Sequence, residues 1–154
     1  MSTKTDFTDA EWKAIAEAPL LITAAMFAAG QHGPISMVKE SAASAKLIAQ
    51  PGNRGAATGL IAEIAPDAQS KESRHDAEHH KGADIAAIVD ACLADLAPAA
   101  AALAKLPQDE GSGVAEWYLD IAVAVAKASK GVSDTERDAV GRVAGVFKLS
   151  PPTI

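Results

Sequence analysis

An all-α bundle is what this sequence predicts, and three observations predict it. Hydrophobic residues make up 49% of the chain but aromatics only 4%, and the surplus is mostly Ala, the strongest helix former. Apolar residues recur at steps of three and four, whereas period-2 alternation bounded by turns is absent from the sequence. Thr8-Asp9-Ala10-Glu11 and Ser133-Asp134-Thr135-Glu136 are both capping boxes, in which a hydroxyl and a carboxylate each satisfy a helix N–H. At 154 residues the chain fits one domain, 1–154, of about six or seven helices, long enough to bury a core without disulfide or metal staples.

The first helix opens at the Thr8 box, with Phe7 placed to staple onto Trp12. Trp12, Ile15 and Ala16 form its inward face until Pro19, which lacks an N–H, so a break is expected near Ala18. From Leu20 to Ala29 nearly every side chain is apolar, and this stretch is expected to be the central, most buried element. Gly30-Gln31-His32-Gly33-Pro34 reads as a turn, followed by a helix capped by Ser36 and running to Gln50. Its inward stripe is expected to be Val38, Ala42, Ala45, Ile48 and Ala49. A short helix over Gly55–Ala65, ended by Pro66, turns Leu60, Ile61 and Ile64 inward.

From Asp67 to Lys81 only Ala68 and Ala77 are apolar, so 67–81 reads as a polar, mobile segment with nothing to bury. Ile85, Ile88, Val89, Cys92, Leu93, Leu96, Leu103 and Leu106 mark a long amphipathic helix that Pro98 must kink or split. Pro107–Gly113 reads as a loop. Val114, Trp117, Tyr118, Ile121, Val125 and Ala128 then share one face, Gly131-Val132-Ser133 makes a corner, and Val140, Val143, Ala144 and Phe147 face back from a closing helix. Residues 150–154 read as a tail.

Charge and composition exclude several classes of function. A formal charge of -6, with no Lys/Arg-rich run, opposes binding to a phosphate backbone, so no nucleic-acid partner is expected. Cys92 is the only cysteine, which rules out an intrachain disulfide. Met1–Asp9 is polar and unlike a signal peptide, and Pro19–Ala29 would be about 16 Å long as a helix against roughly 30 Å of bilayer hydrocarbon. A cytoplasmic protein with no membrane span is the expectation.

Ala28 to Ser36, with Glu40 beyond, echoes Ala126 to Ser133, with Glu136 beyond: an Ala-rich helix ends at Gly, then an aliphatic residue and Ser open another helix. This is either an internal pseudo-repeat of helical hairpins or ordinary helix-turn-helix punctuation. At these corners, in Gly131-Val132-Ser133 with Glu136 and more loosely in Gly33, Ile35 and Ser36, the chain resembles the TerB-like family. These are small all-helical bacterial domains associated with tellurite resistance and stress responses, whose corners read Asp-Gly-x-Ile/Val-Ser-x-x-Glu. The resemblance implies a bacterial, stress-linked role. Where that pattern has Asp this chain has His32 and Lys130, and Lys repels a divalent cation, so the family's proposed cation binding does not carry over.

His75-Asp76-Ala77-Glu78-His79 matches H-x-x-E-H, the spacing at which two histidines hold zinc beside a glutamate base. A catalytic zinc also needs a third ligand and a shaped, dry cavity, and residues 67–81 supply no apolar wall. A solvated charged face is therefore the competing reading. Glu72 with His75 is a single Glu-x-x-His pair, where di-iron bundles need two; Glu72, His75, His79 and His80 could still form a surface metal site. His32 reads as a turn residue, Cys92 as a small core hydrophobe, and Trp12 and Trp117 as packing residues. Gly52 and Gly55 match no phosphate-binding loop.

No cofactor and no catalytic residue is expected. The reading is a non-catalytic interaction or adaptor domain with a protein partner, a homo-oligomer among the candidates. The alternative is a metal-binding protein or metal-dependent hydrolase using Glu72, His75 and His79.

Overall fold

The computed structural model describes residues 1–30, 34–70, 84–128 and 131–154, and among them all regular structure is helical. After a 3-10 turn at Lys4–Asp6 come α1 (Asp9–Gly30) and α2 (Pro34–Ala49), then a second 3-10 turn at Gly55–Ala57 and α3 (Thr58–Ala68). Beyond lie α4 (Ile85–Ala94), α5 (Ala97–Leu103), α6 (Gln108–Ala128) and α7 (Asp134–Val146). One all-α bundle results. The expected polar segment begins later than Asp67, because α3 carries through Pro66 and buries Ala68; the rest of that segment, from residue 71, falls outside the described residues.

Both capping boxes form. Glu11 N donates to Thr8 Oγ1 at 3.1 Å and Thr8 N to Glu11 Oε2 at 3.0 Å, with Phe7 against Trp12 at 5.8 Å between ring centroids. At the other end Glu136 N donates to Ser133 Oγ at 3.2 Å and Ser133 N to Glu136 Oε1 at 3.1 Å. The corner before it turns through Gly131 at φ 76°, a left-handed conformation that glycine adopts without a Cβ penalty.

The helix does not break near Ala18. Helix α1 runs for 22 residues with Pro19 inside it, and the reason lies on α6. In an unbroken helix the residue-19 N–H would bond the Ile15 carbonyl, but proline has none. The Tyr118 hydroxyl donates to that carbonyl instead, at 2.7 Å. A buried phenol and a buried orphan carbonyl satisfy each other, which makes proline tolerable at the centre of the bundle.

Helix α1 packs against each of the other six described helices and is the hub of the core. Ile15, Ile22, Ala25 and Met26 on it are fully buried, while Phe27 is only half-buried. At about 1.5 Å per residue α1 is about 33 Å long, so it is not short of a bilayer as the Pro19–Ala29 stretch alone suggested. Both α1 and the kinked α4–α5 unit, Ile85–Leu103, are long and apolar enough to cross a membrane by length and composition; the apolar window of α1 is 61% buried inside the bundle and that of Ile85–Leu103 33%.

Helix α6 also starts earlier than expected, at Gln108. Its first turns meet other backbone closely: a Cβ on Gly111 would lie 2.8 Å from the Leu103 carbonyl oxygen, and one on Gly113 would lie 2.5 Å from the Ala57 Cβ. The glycines that read as loop punctuation are there to permit contact. Between α4 and α5 the chain turns at Asp95–Leu96, with Pro98 in the first turn of α5, so the split expected there is present.

The two hairpins are interlocked. Helix α2 lies along α6, the first helix of the other hairpin, and α7 lies against α1. Each also receives or gives a cap: Trp117 Nε1 donates to Leu47 O in the last turn of α2 at 3.1 Å, and Thr135 Oγ1 donates to Ala29 O in the last turn of α1 at 2.8 Å. Both carbonyls are among those a helix C-terminus leaves without partners.

Candidate interaction surface

Helix α2 faces the opposite way from the sequence expectation. Val38, Ala42, Ala45 and Ala49 point to solvent, and Val38 is 69% exposed. The side turned inward carries Glu40, Ser44 and Ile48, with Leu47 half-buried. Of the expected stripe only Ile48 is inside. Spacings of four, three and four residues put the four exposed apolar positions on one narrow face, with Glu40 and Ser44 on the far side and Ile48 at its inward edge.

Specific contacts fix this rotation. Ile48 brings more apolar area to the core than any alanine of the stripe. Thr23 Oγ1 of α1 donates to Pro19 O at 2.7 Å, which leaves the Ser44 hydroxyl to donate to Thr23 Oγ1 across 2.6 Å. Trp117 holds the Leu47 carbonyl from below. Lys39 and Lys46 flank the outward stripe, both on the same edge and seven residues apart, while the one acidic residue of α2, Glu40, is buried.

A groove of about 510 Å³ opens between α4 and α7. Its apolar lining is Ala29, Ile85, Ala86 and Val89, with Ile85 42% exposed. Among the described lining residues stand Asp84, Asp90, Asp134 and Asp138, with Arg142, which bonds Asp90 at 2.8 Å. Asp134 in turn holds Arg137 at 2.9 Å. A second groove of about 530 Å³, between α5, α6 and Val146–Leu149, is walled largely by Leu103, Leu106, Ala115 and Phe147 and offers no acid or base pair.

Glu72, His75, His79 and His80 lie outside the described residues, as do His32 and Lys130. Among the described residues, no group of three or more His, Cys, Asp or Glu is placed to hold a metal ion. Cys92 is buried in the core cluster, and burial, with Asp95 adding to it, pushes its thiol up to about 11, so it is a protonated core residue at neutral pH. Burial likewise pushes the Tyr118 phenol far above its ordinary value. Trp12 and Trp117 are core residues whose indole N–H groups are spent on Asp67 and Leu47 O.

Sequence reading did not single out Lys39 and Lys46, or Asp84, Asp90, Asp134 and Asp138, as functional residues. The usable signal was the pairing of an Ala-rich stripe with Glu40 and Ser44 on the opposite side of the same helix. A stripe that thin buries little area, so the polar side had an equal claim to the interior.

The fold and surfaces define a helical bundle with a solvent-facing apolar stripe and an acid-rimmed groove. Compared with known proteins, the chain matches no family model, no curated protein and no solved structure.

Proposed function

We propose that the protein is a non-catalytic helical interaction domain of the bacterial cytoplasm, working through the outer face of α2. The observation that carries this reading is the inside-out rotation of α2, which leaves Val38, Ala42, Ala45 and Ala49 aligned in solvent. A helix that serves only its own fold gains by burying its apolar stripe. Among the described residues Val38 is, after Met1, the most exposed large hydrophobic side chain, and it stands on that stripe. The corner residues shared with TerB-like domains support a stress-linked role, and the burial of α1 within the bundle supports reading that helix as core rather than as a membrane span.

The test is a photo-crosslinking side chain installed at Ala45 and, as control, at Glu116, an exposed position on α6. Illumination in cells should give a discrete protein adduct from Ala45 and none from Glu116. No adduct at Ala45 above the control would remove the interaction reading.

A further inference from the structure

We propose that the partner of the α2 stripe is a second copy of this chain, docking α2 into the acid-rimmed groove between α4 and α7. This rests on the interaction reading above and names its partner. Helix α2 offers an apolar ridge, Val38, Ala42, Ala45 and Ala49, edged by Lys39 and Lys46 with no exposed acid. What complements it is an apolar channel edged by carboxylates. The groove has that character: Ile85, Ala86 and Val89 line it, and among the described residues four aspartates stand around it against Arg142 and, bonded to Asp134, Arg137.

The two surfaces match in further respects. Val38 and Ile85 are, apart from Met1, the exposed large hydrophobic residues among those described, and one docking event would cover both. Lys39 and Lys46 sit about 10 Å apart along one edge of α2, and the carboxylates they would meet are Asp84 and Asp138, which stand on the groove outside the Arg142–Asp90 and Arg137–Asp134 pairs. Like pairing is opposed. Two α2 stripes would bring lysines together and two grooves would bring aspartates together, each a repulsive arrangement. A nucleic acid is a poor occupant, because α2 presents only two cations on a chain of charge -6.

Within one molecule the stripe points to solvent from a helix seated on α6, α3 and α1, whereas the groove lies between α4 and α7. The contact therefore joins different patches of two copies. It is made reciprocally in a two-fold dimer or repeats head to tail in a chain or ring. Lysines flanking a groove of aspartates predict association that weakens as salt shortens the range of the charges.

The experiment is sedimentation of the full chain and two variants, K39E/K46E on the stripe and D84K/D138K on the groove, each checked for unchanged melting. At about 100 µM and about 0.05 M salt the parent should associate, with at least a roughly tenfold weaker association at about 0.5 M salt. Each variant alone should sediment as a monomer, and an equimolar mixture should re-associate, because each supplies what the other lacks. A monomeric parent at low salt, a variant that associates like the parent, or a mixture that stays monomeric would each overturn the proposal. Those outcomes leave the broader reading standing if Ala45 crosslinks in cells to a protein of different mass. No adduct at all would instead remove the broader reading.

Discussion

The α1–α2 and α6–α7 corners are punctuated alike, yet their second helices are worn in opposite senses. Helix α7 buries Ala139, Val140, Val143 and Ala144, with Glu136 of its capping box, and leaves Asp134, Arg137, Asp138 and Arg142 outside. Helix α2 buries Glu40 and Ser44 and leaves Val38, Ala42, Ala45 and Ala49 outside. The difference follows from how much each apolar face can contribute. Two valines and two alanines on one side of α7 carry most of its apolar area and set its rotation, with Glu136 buried beside them in the capping box. On α2 the stripe is mostly alanine, and a few directional contacts with Thr23, Trp117 and the core around Ile48 set the rotation instead. A helix oriented by such contacts is free to keep an apolar face for something outside the molecule.

The most severe way to break this comparison is to place the same charge on both helices. Val143→Asp should cost about 4 kcal/mol or more, because it puts an unpaired carboxylate in the core. Val38→Asp, on a residue 69% exposed, should stay within about 0.5 kcal/mol of the parent. Urea denaturation measures both. Equal losses would mean that the α2 stripe supports the monomer rather than a partner.

A sharper probe concerns the bond that joins the first helices of the two corners, α6 to α1. Tyr118→Phe strips the Ile15 carbonyl of its donor and should cost about 1–3 kcal/mol. In a Pro19→Ala background the helix can supply its own N–H to Ile15, so the same Tyr118→Phe change should cost clearly less. A double-mutant cycle that shows no coupling would remove this explanation of how Pro19 sits inside α1.

The caps come next in size. Thr8→Ala and Ser133→Ala should each lower stability by about 1 kcal/mol, since each leaves a helix N–H without its partner. If Ser133→Ala melted like the parent, the α6–α7 corner would not be held by its capping box.

How much of this was legible in the sequence follows from the range of the interactions involved. The capping boxes join residues three apart, and the faces of α6 and α7 repeat within a few turns, so local pattern sufficed. The continuity of α1 depends on Tyr118, 103 residues from Ile15 in the chain, and no local rule sees it. The start of α6 depends on Leu103 and Ala57 approaching Gly111 and Gly113, which the sequence shows only as glycines in an apparent loop. Pro34 reads as the end of a turn with Ser36 as the following cap, but α2 already begins at Pro34, a residue suited to a first helical position, so Ser36 lies inside the helix. For the interaction surface, composition showed that the α2 stripe was thin, but which side goes inward was decided by partners on α1 and α6.

The smallest expected effect is a pH dependence at the base of α1, where the chain before the first corner is fastened. Asp67 Oδ2 accepts from Trp12 Nε1 at 2.6 Å and from Lys4 Nζ at 3.0 Å, and these bonds, that from Trp12 first, hold its carboxyl below the ordinary value of 3.8. Because the folded-state value is depressed, the ionised carboxylate contributes stability above pH 3.8, and that contribution is lost as pH falls through the folded-state value. The Asp67 side chain is 41% exposed, so solvent screens much of this and the shift should be modest. Asn at this position can still accept from Trp12 but cannot ionise, so Asp67→Asn should melt with a shallower dependence on pH below about 4 than the parent. Glu110, a buried carboxylate that accepts from Ser2 N at 3.0 Å and is also held low, remains in both proteins and leaves them a shared acid sensitivity. Thermal melts followed by tryptophan fluorescence across that range isolate the difference. Parallel curves for parent and variant would show that the Asp67 carboxylate contributes nothing to holding the N-terminal segment on α1 and α3.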